Sequence, residues 1–282
     1  MLSYQHGFHA GNFADVHKHW VVSRLLEHLC AKPKGWNWYE THAGRGRYDL
    51  TGDQARKTGE WQHGIGRLWS ERARAPDVFG AYLDVLDALN PGGELKCYPG
   101  SPLLAAHRSH PGRELVLCEL HPQEFSQLRH AMKPFTHCHL HHRDGFEGVS
   151  AVVPPKSGRG AVLVDPSYEH KDDFTRIPRW ADAVLGRWRQ ALIAIWYPVL
   201  ERPHHRDLLM GLKAQGIRNV WRSELIRPAE EDPSQRMRGS GMIVVNPPWK
   251  LADEIEQGWD WLATRLSVDR AHSTASEMWI PE

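Results

Sequence analysis

Net charge is nearly absent: 35 Lys and Arg against 34 Asp and Glu leave +1 over 282 residues. The whole molecule is therefore no electrostatic magnet for phosphate. Any nucleic-acid surface must be a local patch of Lys and Arg, aided by the 19 histidines. Cysteine is scarce, and Cys30, Cys97, Cys118 and Cys138 show no Cys-x-x-Cys spacing. With nothing suggesting secretion, reduced thiols in the cytoplasm are the default. Long apolar runs are missing too. The longest, residues 191–200, is far too short to span a bilayer. The N-terminal Met1-Leu-Ser-Tyr-Gln-His6 lacks the charged-then-apolar layout of a signal peptide. Internal repeats and low-complexity segments are absent. These absences lead to the expectation of a soluble cytoplasmic protein without membrane partners. What is present is the make-up of an ordinary globule, 41% hydrophobic and 24% charged. That suits one large α/β domain, or one with an insertion.

Periodicity predicts a helix over residues 14–30, where Val22, Leu25, Leu26 and Leu29 recur at helical spacing and Asn12 or Asp15 is available as cap. A short strand over 36–40 follows. Residues 52–110 read as short helices separated by Gly and Pro, among them 81–89. Strand–helix alternation then resumes, with strands over 114–120, 137–141, 161–165 and 191–197. Helices fall over 122–132, 179–187 and 205–215, and a closing pair of strands over 220–227 and 241–246. Repeated strand–helix units imply a parallel sheet covered on both faces. The polar stretch 230–241 is expected to be a mobile loop.

The run Ala161-Val-Leu-Val-Asp165-Pro166-Ser167-Tyr168 is a buried strand ending in a carboxylate, a proline and an aromatic ring. Pro166 ends the strand and fixes the turn. Asp165 and the adjacent backbone carbonyl can accept both hydrogens of an exocyclic amine while Tyr168 stacks on a flat base.

Other predicted strand ends carry compatible chemistry. The strand over 36–40 runs into Gly44-x-Gly46, where backbone allows close ligand approach. The third glycine of a dinucleotide fingerprint is missing, which argues against NAD. Glu119 ends the next strand and suits two ribose hydroxyls. Asp144 ends the third and can accept the amino group of an adenine. Gly44, Glu119, Asp144 and Asp165 thus share the carboxyl edge where open α/β sheets bind ligands.

Over nearly its full length the chain resembles the bacterial 23S ribosomal RNA adenine-N(6) methyltransferases. The likeness rests on Met1-Leu-Ser-Tyr4-x-His6-x-Phe-His9-Ala-Gly11-Asn12-x-Ala-Asp15-Val-x-Lys18-His19 and on Thr41-His42-Ala-Gly44-x-Gly46-Arg-Tyr48. It continues through Tyr98-Pro-Gly-Ser101-Pro, Glu119-Leu-His-Pro122, Asp144-Gly145, Asp165-Pro-x-Tyr168, Trp196-Tyr-Pro198, Gly239-Ser-Gly-Met242 and Asn246-Pro-Pro-Trp249. The resemblance implies a Rossmann-like, S-adenosylmethionine-dependent methyltransferase fold. Residues 1–51 and 111–282 would form the methyltransferase domain, with residues 1–13 near the active site and 52–110 as a small helical insertion. It implies cofactor contacts at Lys18, His19, His42, Ser101, Glu119, Asp144 and Gly145. Asp165 would be catalytic, together with Pro166 and Tyr168, and Tyr4 and His6 would face the substrate. The expected product cofactor is S-adenosylhomocysteine, the expected partner 23S RNA, protein-free or in early assembly, and the expected state a monomer. Two positions depart from the family: Glu40 stands where a shorter Asp is common, and Ser167 where proline is expected. Serine restores an N–H and conformational freedom to the turn.

Two other segments imitate functional motifs. Asn246-Pro247-Pro248-Trp249 mimics the amine clamp, but it follows a last strand expected to be antiparallel, so its end should point away from the cofactor edge. His137, His139 and His141 alternate along a predicted strand, yet no second ligand pair of zinc-like spacing accompanies them. The tryptophans are expected in the core.

The mechanism this implies has Asp165 and the Pro166 carbonyl accepting from the adenine 6-amino group while the methyl transfers in line. Arg236 and Arg238 are expected on a loop holding the RNA backbone. A DNA adenine methyltransferase and a non-catalytic RNA-binding protein that kept the fold remain alternatives at this point.

Overall fold

A strand whose every residue is apolar needs cover on both faces. Gly160–Val164 (taken below as β6) is buried at all its positions. The computed structural model describes residues 4–228 and 237–282.

In chain order, α1 (Phe13–Cys30) precedes β1 (Asn37–Glu40) and β2 (Arg47–Asp49). Four helices follow, α2 (Asp53–Thr58), α3 (Glu60–His63), α4 (Ile65–Ser70) and α5 (Gly80–Leu89), before β3 (Cys97–Pro99) and α6 (Ser101–Arg108). The alternating part is β4 (Glu114–Cys118), α7 (Pro122–Met132), β5 (Cys138–His141), α8 (Gly145–Val152), β6, α9 (Asp173–Arg187), β7 (Leu192–Leu200) and α10 (His205–Ala214). The chain closes with β8 (Val220–Ile226), β9 (Met237–Val245), α11 (Leu251–Arg265) and β10 (Thr274–Ile280).

Among the described residues the main sheet has the order β10-β8-β9-β7-β6-β1-β4-β5. β5, β4, β1, β6 and β7 run parallel, whereas β9 is antiparallel to both neighbours and β10 to β8. This is the mixed α/β sheet that strand–helix alternation predicts. The helix α1 is capped by Asn12, whose side chain accepts from the amides of Ala14 and Asp15. It is buried nearly all round, with Trp20 stacked on Phe79 at 4.4 Å. Ile65, Leu68, Phe79 and Tyr82 of the 52–110 segment share one buried cluster with α1. A small β2–β3 ladder pairs residues 47–49, just before that segment, with 97–99 inside it.

Several elements differ from the sequence reading. α9 begins at Asp173, not at 179, and carries Pro178 inside it. The ring is accommodated because it faces Gly211 of α10, where a Cβ would come within 2.7 Å of it. β9 starts at Met237, so the polar stretch expected to be loop is strand from there on. Arg238, Gly239 and Ser240 hide its start from propensity. A Cβ at Gly241 would fall 2.1 Å from the Tyr197 ring, which packs on that bare backbone. Arg238 consequently lies within a strand. Residues 230–236 of the expected loop, Arg236 among them, and the motif residues Met1, Leu2 and Ser3 lie outside the described residues. β10, α8 and α11 were not anticipated.

Asn246 follows antiparallel β9 at the edge opposite the strand ends discussed above. Val245 pairs with Ile193 at the start of β7, and the Asn246 amide donates to the Ala191 carbonyl at 2.9 Å. No helix among the described residues is long and apolar enough to cross a membrane.

Candidate active site

The carboxyl end of β1 places Glu40, Thr41 and His42 at the sheet edge. Gly44 and Gly46 then turn the chain at φ 60° and 75°, a region glycine enters without steric penalty. Glu40 is fully buried and accepts from Trp38 Nε1 at 2.7 Å and Ser101 Oγ at 2.8 Å. Burial pushes its carboxyl up to about 8 against the pull of those two donors. Ser101 is thus engaged with Glu40. His42 bonds Thr41 Oγ1 at 2.8 Å and sets its ring edge-on to Phe146 at 5.3 Å. Burial lowers its pKa to about 4, so the imidazole is neutral at pH 7.

At the end of β4, Glu119 takes one backbone donor on each oxygen, Gly44 N at 2.8 Å and His121 N at 2.7 Å. Each oxygen keeps a lone pair for another donor. Burial holds this carboxyl above its ordinary value despite both amides. After β5, Asp144 caps α8 through Glu147 N at 3.0 Å and receives the Arg176 guanidinium at 3.2 Å on both oxygens. Burial alone would raise it, but the Glu147 amide and Arg176 outweigh that and hold it below the usual carboxylate range. Arg176 lies 4.3 Å from the Phe146 ring centroid. Gly145 is required by proximity: a Cβ there would fall 1.8 Å from the Thr41 carbonyl oxygen. The ends of β1, β4 and β5 therefore make one cradle of close backbone and carboxylate acceptors, with the chemistry to hold a nucleoside.

β6 delivers Asp165, the most informative residue of the site. Its Oδ2 accepts from Lys18 Nζ at 2.7 Å, and its Oδ1 accepts no hydrogen bond among the described residues. Lys18 also reaches Asp15 Oδ1 at 3.0 Å and lies 5.3 Å from the Trp196 ring centroid. Burial works against the Lys18 charge, but the two carboxylates more than restore it and raise its pKa. Pro166 is buried. Tyr168 sits at φ 54°, donates to the Trp196 carbonyl at 2.6 Å and stacks one face on Phe174 at 4.5 Å. Ser167 Oγ lies 3.5 Å from Glu169 N.

The N-terminal segment completes the array. Tyr4 Oη meets His6 Nδ1 at 2.8 Å, and His6 Nε2 meets Asp15 Oδ2 at 2.8 Å. A continuous polar chain therefore runs Tyr4–His6–Asp15–Lys18–Asp165. Burial would push the Asp15 carboxyl up, but His6, Lys18 and His19 around it hold it well below the usual range. The 52–110 segment fixes this stretch from outside. Glu60 receives His9 at 2.9 Å and Asn12 at 2.9 Å, Gln54 donates to Gln5, Thr58 Oγ1 donates to the Phe8 carbonyl, and Ile65 N donates to the Gly11 carbonyl.

His19 is turned another way. Its Nδ1 meets Tyr98 Oη at 2.8 Å, and burial lowers its pKa to about 3. His17 is fully buried between Ser240 Oγ and Ser223 Oγ, at 3.0 Å from each, and is likewise lowered to about 3. Ser240 Oγ also accepts from Trp196 Nε1 at 2.9 Å. The histidines near β5 have separate partners: His137 bonds Ser109, His139 bonds Glu114 and His142 bonds the Leu120 carbonyl.

Of the residues singled out in the sequence, Lys18, Asp165, Tyr4 and His6 belong to one polar chain, and Gly44, Glu119, His42, Asp144 and Gly145 to the cradle beside it. His19 and Ser101 lie beneath, bonded to Tyr98 and Glu40. Arg176 and Glu60 are not singled out by the sequence, and Asp15 and Trp196 stand there as motif residues without an assigned role in the site. Asp15 and Lys18 stand three positions apart on α1, which is a readable signal; Arg176 and Glu60 carry none.

A profile of the family RsmJ, ribosomal RNA large subunit methyltransferase D, RlmJ, matches residues 33–280. The ribosomal RNA large subunit methyltransferase J of Haemophilus influenzae is 41% identical over 285 residues, covering 100% of both chains. The protein of the same description from Escherichia coli K12 is 39% identical over 281 residues, covering 99% of each. The crystal structure of a Legionella pneumophila protein superposes with a TM-score of 0.87 at 32% identity, over 97% of this chain and 99% of that one.

Proposed function

This chain belongs to the RsmJ family of ribosomal RNA large subunit methyltransferases, and on that premise we propose that it methylates the 6-amino group of one adenine in 23S ribosomal RNA, using S-adenosylmethionine. The observation that carries the reading is the acceptor after β6. Lys18 holds one Asp165 oxygen, the other has no partner among the described residues, and Pro166 follows.

The cradle residues fit the cofactor. Gly44 turns the chain at positive φ beside Glu119, Gly145 lets α8 close on Thr41, and Glu119 keeps lone pairs for two adjacent hydroxyls. The Asp144 oxygens are shared with Arg176 and Glu147 N, so accepting an adenine amine asks Arg176 to yield. Lys18 and His42 border the same space. When bound, the cofactor supplies an electrophilic sulfonium methyl and leaves as S-adenosylhomocysteine.

The adenine 6-amino lone pair is delocalised into the ring, which makes it a poor nucleophile. Asp165 Oδ1 and the Pro166 carbonyl accept its two hydrogens and favour a tetrahedral nitrogen. Lys18 fixes the carboxylate through Oδ2, so its orientation is set before the base arrives. Asp165 need not be a strong base, because the amine becomes acidic once it bears the new methyl group. Tyr168, buried against Phe174 with Trp196 tilted beside it, is assigned the aromatic contact to the base. Its bond to Trp196 supports the turn in which Ser167 replaces the family's proline. Tyr4 and His6, coupled to Lys18 through Asp15, border the base from the N-terminal side. A base stacked in a helix cannot reach such a pocket, so the target is unpaired or flipped out. Protein-free or early-assembly RNA and a monomeric enzyme complete the reading.

The test is methyl transfer to protein-free 23S RNA beside single-stranded DNA of matched sequence. A large preference for RNA supports the reading, since only a 2′-hydroxyl reader shows one. Equal rates would make the chain a general adenine methyltransferase.

A further inference from the structure

Beside the glycine turn lies a second concavity of about 330 Å³, between α7 and the N-terminal segment, and its lining is rich in side-chain amides. Gln123, Ser126 and Gln127 stand at helix spacings of three and four, on one exposed face of α7. The side-chain amides of Gln123 and Gln127 make no hydrogen bond among the described residues. Across from them, Gln54 donates to Gln5 Oε1 at 2.6 Å and accepts from Arg45 at 2.9 Å. These bonds fix both amide orientations and leave the Gln5 amino group without a partner among the described residues.

The charge balance narrows the occupant. Arg45 is committed to Glu124, through contacts of 2.8 Å and 2.5 Å. The cavity thus holds no uncompensated cation for a phosphate. It offers donors and acceptors in the paired form that side-chain amides present to base edges. Gln5 stands between Tyr4 and His6, so an occupant of this cleft adjoins the groups assigned above to the substrate side.

We propose that this cleft binds the nucleobase of a nucleotide neighbouring the target adenine, and that Gln123 and Gln127 read its edge. The assignment rests on the RNA-methylation reading.

The experiment uses RNA oligonucleotides spanning the methylated adenine, with each neighbouring nucleotide in turn replaced by an abasic one. Values of kcat/KM are measured for the wild type and for the double variant Gln123→Ala/Gln127→Ala, with thermal melts to verify folding. At one neighbouring position the wild type should lose roughly tenfold on removal of the base. In the double variant the ratio of intact to abasic RNA at that position should collapse to near one. A second variant, Gln127→Glu, exchanges the amide for acceptors alone and should change which natural base is preferred there.

Wild-type indifference at every neighbour, or a variant that discriminates like the wild type, overturns the proposal. Equal loss on intact and abasic RNA overturns it too, since it would mark a backbone contact. Failure of the wild type on every intact RNA would instead sink the RNA reading itself, and the cleft assignment with it.

Discussion

Lys18 Nζ lies 2.7 Å from Asp165 Oδ2, a contact across 147 positions of sequence that joins the first helix to the end of β6. The same ammonium sits 3.0 Å from Asp15, and both Lys18 and Asp15 are almost wholly buried. One buried cation therefore compensates two carboxylates, and the partners should respond differently to removal. Replacing Lys18 by Met removes the one cation that Asp15 and Asp165 share and leaves Asp15 with His6 alone as its ion-pair partner. It is expected to cost about 3 kcal/mol or more in stability, because breaking a buried pair leaves charge uncompensated, and to abolish methyl transfer. Urea unfolding and initial rates measure the two effects. Replacing Asp165 by Ala leaves the Lys18–Asp15 pair in place. Methyl transfer should then vanish while stability stays within about 1 kcal/mol of the wild type. Full activity in the Asp165 variant would sink the mechanism.

Glu40 makes a prediction for pH. Its buried carboxyl is pushed from an ordinary 4.5 up to about 8, so the folded chain holds this proton more tightly than the unfolded one. Its contribution to stability is complete below 4.5 and is lost as pH rises through about 8. His17 and His19, depressed from 6.5 to about 3, act with the opposite sense: their contribution is present above 6.5 and lost as pH falls through about 3. The difference between wild type and Glu40→Gln isolates the carboxyl. The variant should gain on the wild type between pH 5 and 8 by roughly 2–4 kcal/mol. Parallel stability curves from denaturant titrations at those pH values would contradict this.

Glu60, at the start of α3, holds the N-terminal segment through His9 and Asn12. Its replacement by Ala should speed proteolytic cleavage within residues 4–12 and lower kcat by about tenfold through misplacement of Tyr4 and His6. The His9 pKa is raised mainly by its bond to Glu60, so this anchor is strongest below 6.5 and weakens as pH rises through the shifted value. Proteolysis rates that do not change in the variant would show the segment to be held by its other contacts.

Gly145 carries a steric prediction. A Cβ there would collide with the Thr41 carbonyl at 1.8 Å, and backbone cannot yield as a side-chain tip can. Gly145→Ala should push α8 off the end of β1, lowering S-adenosylmethionine affinity at least about tenfold and stability by about 1–3 kcal/mol. Calorimetric titration and a thermal melt read both.

The sequence was most legible where local rules and function coincide. The strand ends at Glu119, Asp144 and Asp165 and the Asn12 cap could be read from short windows, because apolar runs and turn residues bound them. α11 carried a readable signal in Leu251, Ile255, Trp259 and Leu262, all buried at helical spacing. β9 reads short in the sequence because Arg238, Gly239 and Ser240 at its start have little strand propensity. Pro178 concealed the start of α9, since its compensation is a glycine on another helix. The Lys18–Asp165 pair, the Glu40–Ser101 bond and the Glu60 anchor join distant segments, and no local pattern announces such contacts.

Methylation of an RNA adenine at its 6-amino group, proposed above for this chain, is tested most directly by following the methyl group. Purified protein is incubated with methyl-labelled S-adenosylmethionine and protein-free 23S RNA, and the RNA is digested to nucleosides. Label is expected in 6-methyladenosine from a single site, and none with the Asp165→Ala variant. Label in another nucleoside, or no label from protein that binds the cofactor, would contradict it.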